Sequence, residues 1–572
     1  MLIQELRAYA EDRLALPPPM YQEQPIRYLI ALRADGTMVG TMRDLSSPQD
    51  KKLKRGLPML APHVKRTVGI RPKLLADTAP YVLGLAGDGA KGGRAEQQHT
   101  QFVELVDQCR EATGEPSVAA VSSFLAALDR DTLPLPADFD PTGTITFEIG
   151  PERERPIDLP SVRAFWASMN SAEEDGDNAA LLTCIGCGQQ RSALERHPIK
   201  IKGVPGGQIL KDLVSANAAA FESYGLTASQ IAPMCQSCAE AYGNALNALL
   251  ADKRTSLWMK EGAYAFWTRR DVDFAPVSLF LNPDEHQVVV RSLLDAWKRG
   301  TAAALELDPT PFFGVGLGAS GARLVVRDWI DTSVGDAKTR LGRYFALQQM
   351  VEWDGSPGEA VALYRLTGAT VRDSRKDDPP PVVSRSLIRL ALVGSPLPMD
   401  LLYLAVRRNR AAQDVTRERA MLIKMVLCSQ GNEGDETTMS DLDQENINPA
   451  YLCGRLLAAL DQIQGLAIRN ANAGIVDKFY GSASSAPASV FGTLLHGAQA
   501  HMGKLRRDMP GAHYRLEQEL EEITAPLASF PKTLTLEEQG LFALGFYHQR
   551  AANRRAARDA KARNEAASND EV

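Results

Sequence analysis

The sequence predicts an α+β protein in which a mixed α/β amino-terminal and middle region precedes an all-α helical bundle. Three observations favour this fold class. Runs rich in β-branched and aromatic residues become rare after residue 383. The segment VRDSRKDDPPPVV (371–383) is charged and then triply proline, so it indicates a linker. Beyond it, apolar residues recur at helical spacing, as in Leu452, Leu456 and Leu460.

In chain order, the sequence predicts two strands joined at Asp35-Gly36 within 26–40, a helix over 101–111, a strand over 144–150, a helix over 288–298 and a strand pair over 312–330. The bundle is expected to include helices over 491–505 and 513–524 and another that starts near 535. The last segment, RRAARDAKARNEAASNDEV (554–572), lacks an apolar face and is expected to fray.

Gly316, Gly318 and Gly321 form a G-x-G-x-x-G pattern within GVGLGASG. A dinucleotide site would need a helix directly after this pattern and an acidic residue about twenty positions further on. The β-rich ARLVVRDWI follows instead. The pattern therefore favours a glycine-rich turn that joins two strands.

The 572 residues are too many for one ordinary core, and two to four domains are expected. Hydrophobic residues make up 44% and charged residues 23%, which is typical of soluble globular proteins. No run approaches the length of apolar residues that a membrane span needs, so no membrane contact is expected. The amino-terminal residues include Glu5, Glu11 and Asp12 and lack an apolar signal core, which favours a cytoplasmic location.

Four segments are predicted. They are an amino-terminal α/β region (1–150), a middle region with a cysteine site and a basic loop (151–275), the remaining α/β region with the proline-rich linker (276–383), and the helical bundle (384–572).

Two Cys-x-x-Cys pairs form the strongest motif: Cys184, Cys187, Cys235 and Cys238, with 47 residues between the pairs. Four thiolates suffice for a closed tetrahedral zinc site, and a closed site leaves no position for a reacting water. The pattern therefore predicts structural zinc. Chance core cysteines and redox or catalytic cysteines are the alternatives. No H-E-x-x-H or H-x-E pattern occurs, so the usual zinc protease and zinc deaminase signatures are missing.

Positive charge is local, because the net charge is −6 but residues 1–75 hold thirteen Lys or Arg against seven Asp or Glu. Residues 433–445 hold six acids and no base. Contact with a phosphate backbone and an ordinary solvated surface are both compatible with the basic clusters. The candidate nucleic-acid-binding residues are Lys51, Lys52, Lys54, Arg55, Lys65, Arg66, Arg71 and Lys73, together with Arg191, Arg196, Lys200 and Lys202 in a basic loop that also contains His197 and Lys211.

No catalytic constellation is present in the sequence: it contains no Walker A motif, no G-x-S-x-G and no kinase motif set. From the residues alone, the sequence indicates a soluble two-part protein with a candidate zinc staple, and it leaves nucleic-acid binding open.

Several stretches resemble the large subunit of the type I-C CRISPR Cascade surveillance complex. FPKTLTLEEQGLFALGFYHQR (530–550) and the stretch from CGRLLAALDQ to HMGKL (453–505) are similar to its carboxy-terminal part. ERHPIKIKGVPGGQ (195–208) and LVSANAAAFESYG (213–225) are similar to its middle part, and KLLADTAPYVLG (73–84) to its amino-terminal part. The second cysteine pair departs from the family pattern, so no metal function is implied by the resemblance.

The resemblance implies a non-catalytic subunit whose amino-terminal region (1–150) is the candidate reader of the protospacer-adjacent motif in duplex DNA. It also implies that the subunit helps to open the duplex, stabilises the R-loop and helps to recruit the helicase-nuclease. It implies as partners the crRNA, the target duplex and its displaced strand, the backbone subunits, the crRNA-processing subunit and the small subunit. The bundle should resemble that small subunit, which in this family is commonly made from an internal start. Met421 and Met425 are the candidate starts.

Two alternatives remain at this point. One is a zinc-containing nucleic-acid hydrolase or nuclease, which would need clustered carboxylates or an open zinc position. The other is a purely structural assembly scaffold, with the motif read by another subunit.

Overall fold

The structure is a computed structural model of the chain and describes residues 2–14, 18, 20–47, 53–64, 69–86, 92–174, 181–216, 218–298, 308–431, 438–468 and 474–569. It confirms the mixed α/β class with carboxy-terminal helices. The chain divides into two compact units. The first unit is Met1–Lys200 with Asp212–Leu246, and the second unit is Ile201–Lys211 with Asn247–Val572. The four segments expected from the sequence remain predictions.

The elements of the first unit are α1 (Leu2–Arg13), β1 (Tyr21–Leu32), β2 (Arg43–Asp44), β3 (Leu57–Pro62), β4 (Ala76–Thr78), α2 (Ala79–Val82), α3 (Gly92–Thr113), α4 (Pro116–Ala126), β5 (Thr144–Ile149), α5 (Pro160–Glu174), β6 (Leu181–Thr183) and β7 (Gln190–Ser192). Helix α6 (Gln236–Ala251) begins in this unit and ends in the second.

A five-stranded sheet organises the first unit around β1. Strand β1 pairs antiparallel with β2 and β3 and parallel with β5, and β5 pairs antiparallel with β4. Alternate residues of β1, such as Ile26, Tyr28 and Ile30, are buried in one core with Phe102 and Val106 of α3. This two-residue alternation is what places one face of a strand in a core.

The prediction of a hairpin at Asp35-Gly36 is confirmed for its turn and wrong for its second strand. The turn forms there, and Gly36 has a φ of +86°. Its second arm is a single bridge between Leu32 and Met38 rather than a strand. The long antiparallel partner of β1 is instead β3, whose identity the local sequence does not reveal.

The elements of the second unit are β8 (Ile201–Lys202), β9 (Leu210–Lys211), β10 (Ser256–Met259), β11 (Gly262–Thr268), α7 (Pro276–Leu281), α8 (Gln287–Lys298), β12 (Pro311–Ser320), β13 (Arg323–Ser333), α9 (Val334–Leu347), α10 (Leu363–Gly368), α11 (Pro381–Val393), α12 (Met399–Ala412), α13 (Arg417–Ser429), α14 (Pro449–Ala467), α15 (Ile475–Ala483), α16 (Phe491–Asp508), α17 (Pro510–Thr524) and α18 (Leu536–Asn569).

Strands β10, β11, β12 and β13 form an antiparallel sheet in that order. The predicted glycine turn is confirmed at Gly321, which has a φ of +60° between β12 and β13. The glycines within β12 have a separate role, because a Cβ at Gly314 or Gly316 would lie 2.8 Å from the ring of Phe266 or Tyr264. They make room for neighbouring side chains, and no helix follows them as a dinucleotide site would require.

One hydrophobic core joins this sheet to the carboxy-terminal helices. The proline run ends inside a helix, because Pro381 is the first residue of α11 and Val383 and Leu387 are already buried. Proline fits the first turn of a helix, where its missing N–H has no intrahelical acceptor. The linker interpretation of 371–383 is therefore wrong for its last residues.

Helices α14 and α18 pack at very short distance. A Cβ at Gly454 would overlap the carbonyl oxygen of Phe542, and a Cβ at Gly545 would overlap that of Tyr451. Helix α18 extends to Asn569, and residues 570–572 of the segment expected to fray lie outside the described residues, so that expectation remains a prediction. Among the helices of the described residues, none has the length and apolar character that a bilayer crossing requires.

Candidate metal centre and nucleic-acid interface

Two short loops bring the four predicted cysteines together. Cys184 and Cys187 lie in the turn between β6 and β7, and Cys235 and Cys238 lie at the start of α6. Their four Sγ atoms all lie within 4.8 Å of one another, and those of Cys184 and Cys235 are 3.7 Å apart. Tetrahedral zinc with sulfur at about 2.3 Å would separate its ligands by about 3.8 Å. The set could therefore hold one metal ion and is compatible with zinc.

Backbone hydrogen bonds shape the first loop around the cysteines. Cys184 donates its N–H to the carbonyl of Gln189 at 2.9 Å, and Gly188 donates to the carbonyl of Cys184 at 2.8 Å. Gly188 adopts a φ of +73°, which favours glycine. Gly186 also needs to be glycine, since a Cβ there would lie 2.8 Å from the Cβ of Cys238.

The thiols influence one another electrostatically. The hydrogen bond between Cys235 and Cys238 lowers the pKa of Cys235 and raises the pKa of Cys238. Burial raises the pKa of Cys187. A bound metal ion would compensate four thiolates at once and release the remaining protons. Four sulfurs would complete the shell of a tetrahedral ion, so a bound metal would hold the two segments together with no open coordination position.

Helix α1 is attached to the same loop. The Nη1 of Arg7 donates a 3.1 Å hydrogen bond to the carbonyl of Gly186, and the Nε2 of Gln4 donates a 3.2 Å bond to that of Ile185. The hydrogen bond to Glu11 raises the pKa of Arg7, and the nearby thiols of the centre add to this effect. Sequence reasoning missed these contacts, because neither residue belongs to a recognisable motif.

The predicted cations of the amino-terminal cluster lie in three settings. Lys54 and Arg55 are exposed in the turn that precedes β3. Lys73 donates a 2.6 Å hydrogen bond from Nζ to the side chain of Gln24. Arg71 lines a cleft of about 190 Å³ with Gln101 and other side chains of α3. The remaining members of the cluster, Lys51, Lys52, Lys65 and Arg66, fall outside the described residues.

The basic loop does not fold as one piece. Arg191, Arg196 and Lys200 are exposed in the first unit, whereas Lys202 is exposed in the β8–β9 hairpin of the second. Lys200 pairs with Asp212 at 2.6 Å. Each cation must therefore be tested separately.

Two basic residues of this loop are buried rather than available to phosphate. Lys211 is 2% exposed and donates from Nζ to the carbonyl of Val204 at 2.7 Å. His197 lies with its Nδ1 2.7 Å from the hydroxyl of Tyr242, and burial lowers its pKa to about 4. At neutral pH this imidazole carries no charge.

The second unit carries exposed aromatic–cation pairs that the sequence did not reveal. Arg407 lies over the ring of Tyr403, 5.5 Å from its centroid. Arg554 lies over Trp353 at 5.3 Å. The i, i+4 spacing on α12 could have indicated the first pair, but no sequence signal links Trp353 to α18.

Among the residues that the structure describes, the four cysteines are the one group of three or more His, Cys, Asp or Glu placed to hold a metal ion. The molecule thus combines a cluster of four cysteines with exposed cationic side chains.

These features define a protein with a candidate metal centre of four cysteines and exposed cations in both units. A comparison with models of protein families matches residues 2–554 to the family described as CRISPR-associated protein (Cas_Csd1). The match covers most of the chain, so the protein belongs to this CRISPR-associated, Cascade-type family, which implies partnership with crRNA and other CRISPR-associated proteins. A search of curated proteins returned no match.

Proposed function

We propose that this chain is the non-catalytic large subunit of a type I-C Cascade. It recognises the protospacer-adjacent motif in duplex DNA, assists unwinding, stabilises the R-loop and helps to recruit the helicase-nuclease. Within a Cascade-type family, the observation that carries this proposal is the exposed pair Lys54 and Arg55, which has no ion-pair partner among the described residues. Free surface cations at a turn suit a phosphate backbone, because each neutralised phosphate releases a counterion.

Base-edge recognition has a candidate location close by in sequence. The cleft lined by Arg71 also contains Gln101 and Gln108. Arginine and glutamine are the side chains that most readily make bidentate contacts with guanine and adenine in the major groove. The backbone cations would hold the duplex, while these side chains supply the selection.

The metal centre is proposed to bind structural zinc at Cys184, Cys187, Cys235 and Cys238. When bound, zinc would supply a fixed tetrahedral junction between the β6–β7 turn and the start of α6. Arg7 and Gln4 attach α1 to this junction through hydrogen bonds to its backbone carbonyls. No reaction is assigned to the centre.

The carboxy-terminal helices are proposed to contact the displaced strand. Tyr403 with Arg407 offers an exposed ring and a cation, the combination on which unpaired bases stack. The proposal that the bundle is also made separately retains Met421 and Met425 as starts. Both lie buried within α13, so a product beginning there would lack α11 and α12.

The proposed partners are the crRNA, the target duplex and its displaced strand, the backbone, crRNA-processing and small subunits, and the recruited helicase-nuclease, in the cytoplasm. The test is reconstitution of the complex with and without this chain, followed by binding of labelled duplexes that carry or lack the motif. Motif-dependent binding and opening should require the chain. Equal binding and opening without it would refute the proposal.

Catalysis is tested with the same preparation. The purified chain should leave single-stranded and duplex DNA and RNA intact in the presence of Mg²⁺ or Mn²⁺. Cleavage that co-purifies with the chain and is lost on substitution of one of its carboxylates would favour the hydrolase alternative instead.

A further inference from the structure

A cavity of about 350 Å³ opens in the second unit beside the β10–β13 sheet and helices α10 and α11. Its inner wall includes Leu257, Tyr264 and Gly316, and two large aromatic side chains, Trp258 and Tyr364, line it while remaining accessible. Trp258 is 42% exposed and Tyr364 is 65% exposed. Ligand pockets of about 300 Å³ or more are large enough for a small organic ligand.

The indole of Trp258 is held in place by its neighbours. Its Nε1 donates a 3.0 Å hydrogen bond to the hydroxyl of Ser256, so the polar atom of the ring is already satisfied. At the other end of the ring, a Cβ on Gly203 would lie 2.8 Å from Cη2, and Gly203 has a φ of +85°. Only glycine at this turn lets the β8–β9 hairpin approach so closely. Trp258 is thus a fixed, partly exposed aromatic surface.

Among the charged side chains that line the cavity, Lys260 pairs with Asp378, and Glu261 is exposed. One arginine beside them is available. The carboxylate of Asp328 is fully buried and accepts hydrogen bonds from Tyr264 at 2.5 Å and Arg389 at 3.0 Å, and it pairs with Arg385 at 2.9 Å. It is therefore compensated within the protein. Arg327 is different, because it is exposed and has no ion-pair partner among the described residues.

An irregularity in the pairing of β12 with β13 places Arg327 beside the cavity. Gly316 pairs with Asp328 and Leu317 with Val326, so Arg327 is the extra residue of a β-bulge. Bulges commonly redirect a side chain next to a functional site. Gly318 leaves the room that the guanidinium occupies, since a Cβ there would overlap its Nε.

We propose that this aromatic pocket, defined by Trp258, Tyr364 and Arg327, binds one unpaired nucleotide of a single nucleic-acid strand. The base stacks on the aromatic rings, and Arg327 contacts the phosphate. Stacking on aromatic side chains beside a cation is the general mode by which proteins hold single strands.

An apolar anchor from a protein partner fits these observations less well. It would cover Arg327 without supplying a negative charge, and burying an uncompensated guanidinium is unfavourable. The basic hairpin supports the same choice, because exposed Lys202 is adjacent to the glycine that contacts Trp258. The pocket goes beyond the proposed recognition of duplex DNA, which involves other residues.

The test uses the full chain and single strands of about twelve nucleotides that contain one 2-aminopurine, as RNA and as DNA. Stacking should quench the 2-aminopurine fluorescence even at about 0.3 M salt, where phosphate contacts are weakened. Trp258→Ala and Tyr364→Ala should each weaken binding about 5- to 150-fold and reduce the quench. Tyr364→Phe should retain both. Comparison of the two oligonucleotides identifies whether the pocket prefers RNA or DNA.

Tyr514→Ala is the matched control, because Tyr514 is an exposed tyrosine on α17 outside the pocket. Unchanged affinity and quench in folded Trp258→Ala and Tyr364→Ala variants would overturn the proposal. The proposal would also be overturned if these variants lost a protein subunit from the assembled complex while the 2-aminopurine quench stayed unaltered. If motif-dependent duplex binding failed while the quench persisted, the proposed function would be refuted. The proposal for the aromatic pocket would still hold.

Discussion

The Nη1 of Arg7 donates a 3.1 Å hydrogen bond to the carbonyl oxygen of Gly186, the residue directly before Cys187. The same guanidinium pairs with Glu11 on α1 at 2.7 Å. The carbonyl that Arg7 contacts belongs to the loop whose shape depends on the two cysteines. The first helix of the chain is therefore attached to the candidate metal centre, and its stability should depend on an ion bound there.

Removal of the metal should release α1 together with the β6–β7 turn. We expect one zinc ion per chain by native mass spectrometry, and faster hydrogen exchange of α1 amides after chelation, because metal-binding free energy contributes directly to folding. Cys453→Ala should retain the ion, since Cys453 is a buried core residue outside the centre. A chain that folds normally and contains no metal would contradict this prediction.

Neutralisation of four cations in the amino-terminal basic cluster should weaken duplex binding by the assembled complex. Replacement of Lys51, Lys52, Lys54 and Arg55 with Ala should lower the affinity and reduce the slope of log K against log salt by about 0.9 for each phosphate that the protein no longer neutralises. Binding isotherms at several salt concentrations give both quantities.

The control for this quadruple variant is Arg254→Ala. Arg254 is an exposed arginine that pairs with Asp252 in the second unit. Its substitution should leave the salt slope unchanged. If the quadruple variant also kept the original slope of log K against log salt, these four cations would not contact the DNA.

Sequence periodicity and spacing predicted the fold class and the cysteine set, because both depend on residues that are near one another or that recur in a pattern. They could not predict burial of Lys211 and His197, which appear in the sequence as part of an exposed basic loop. The contact of Gly203 with Trp258 was equally hidden, because it joins elements more than fifty residues apart. Tertiary packing determines the burial of Lys211, the burial of His197 and the contact of Gly203 with Trp258.

Substitution of Gly454 or Gly545 with Ala should destabilise the second unit. Each added methyl group would overlap a carbonyl of the facing helix, and forced overpacking of this kind typically costs about 1–3 kcal/mol. Gly497→Ala is the matched control, because this helical glycine of α16 faces open space and alanine there should stabilise by about 0.5–1 kcal/mol. Thermal melting measures all three variants, and equal melting temperatures would contradict the close packing of α14 with α18.

Acidification should destabilise the second unit through His548. This imidazole is completely buried, its Nδ1 lies 3.0 Å from the hydroxyl of Tyr451, and burial lowers its pKa from 6.5 to about 3. Between these values the unfolded chain binds the proton that the folded chain excludes. Stability is therefore complete above pH 6.5 and should fall by about 3 kcal/mol between pH 6.5 and 4.

Chemical denaturation of His548→Gln over this pH range isolates the contribution of His548, because the variant lacks the titrating group but keeps a polar side chain beside Tyr451. Its free energy of unfolding should depend less steeply on pH than that of the unaltered chain. His496→Gln, at an exposed histidine of α16, should retain the original dependence. Parallel pH profiles for the unaltered chain and His548→Gln would show that His548 is not buried in its neutral form.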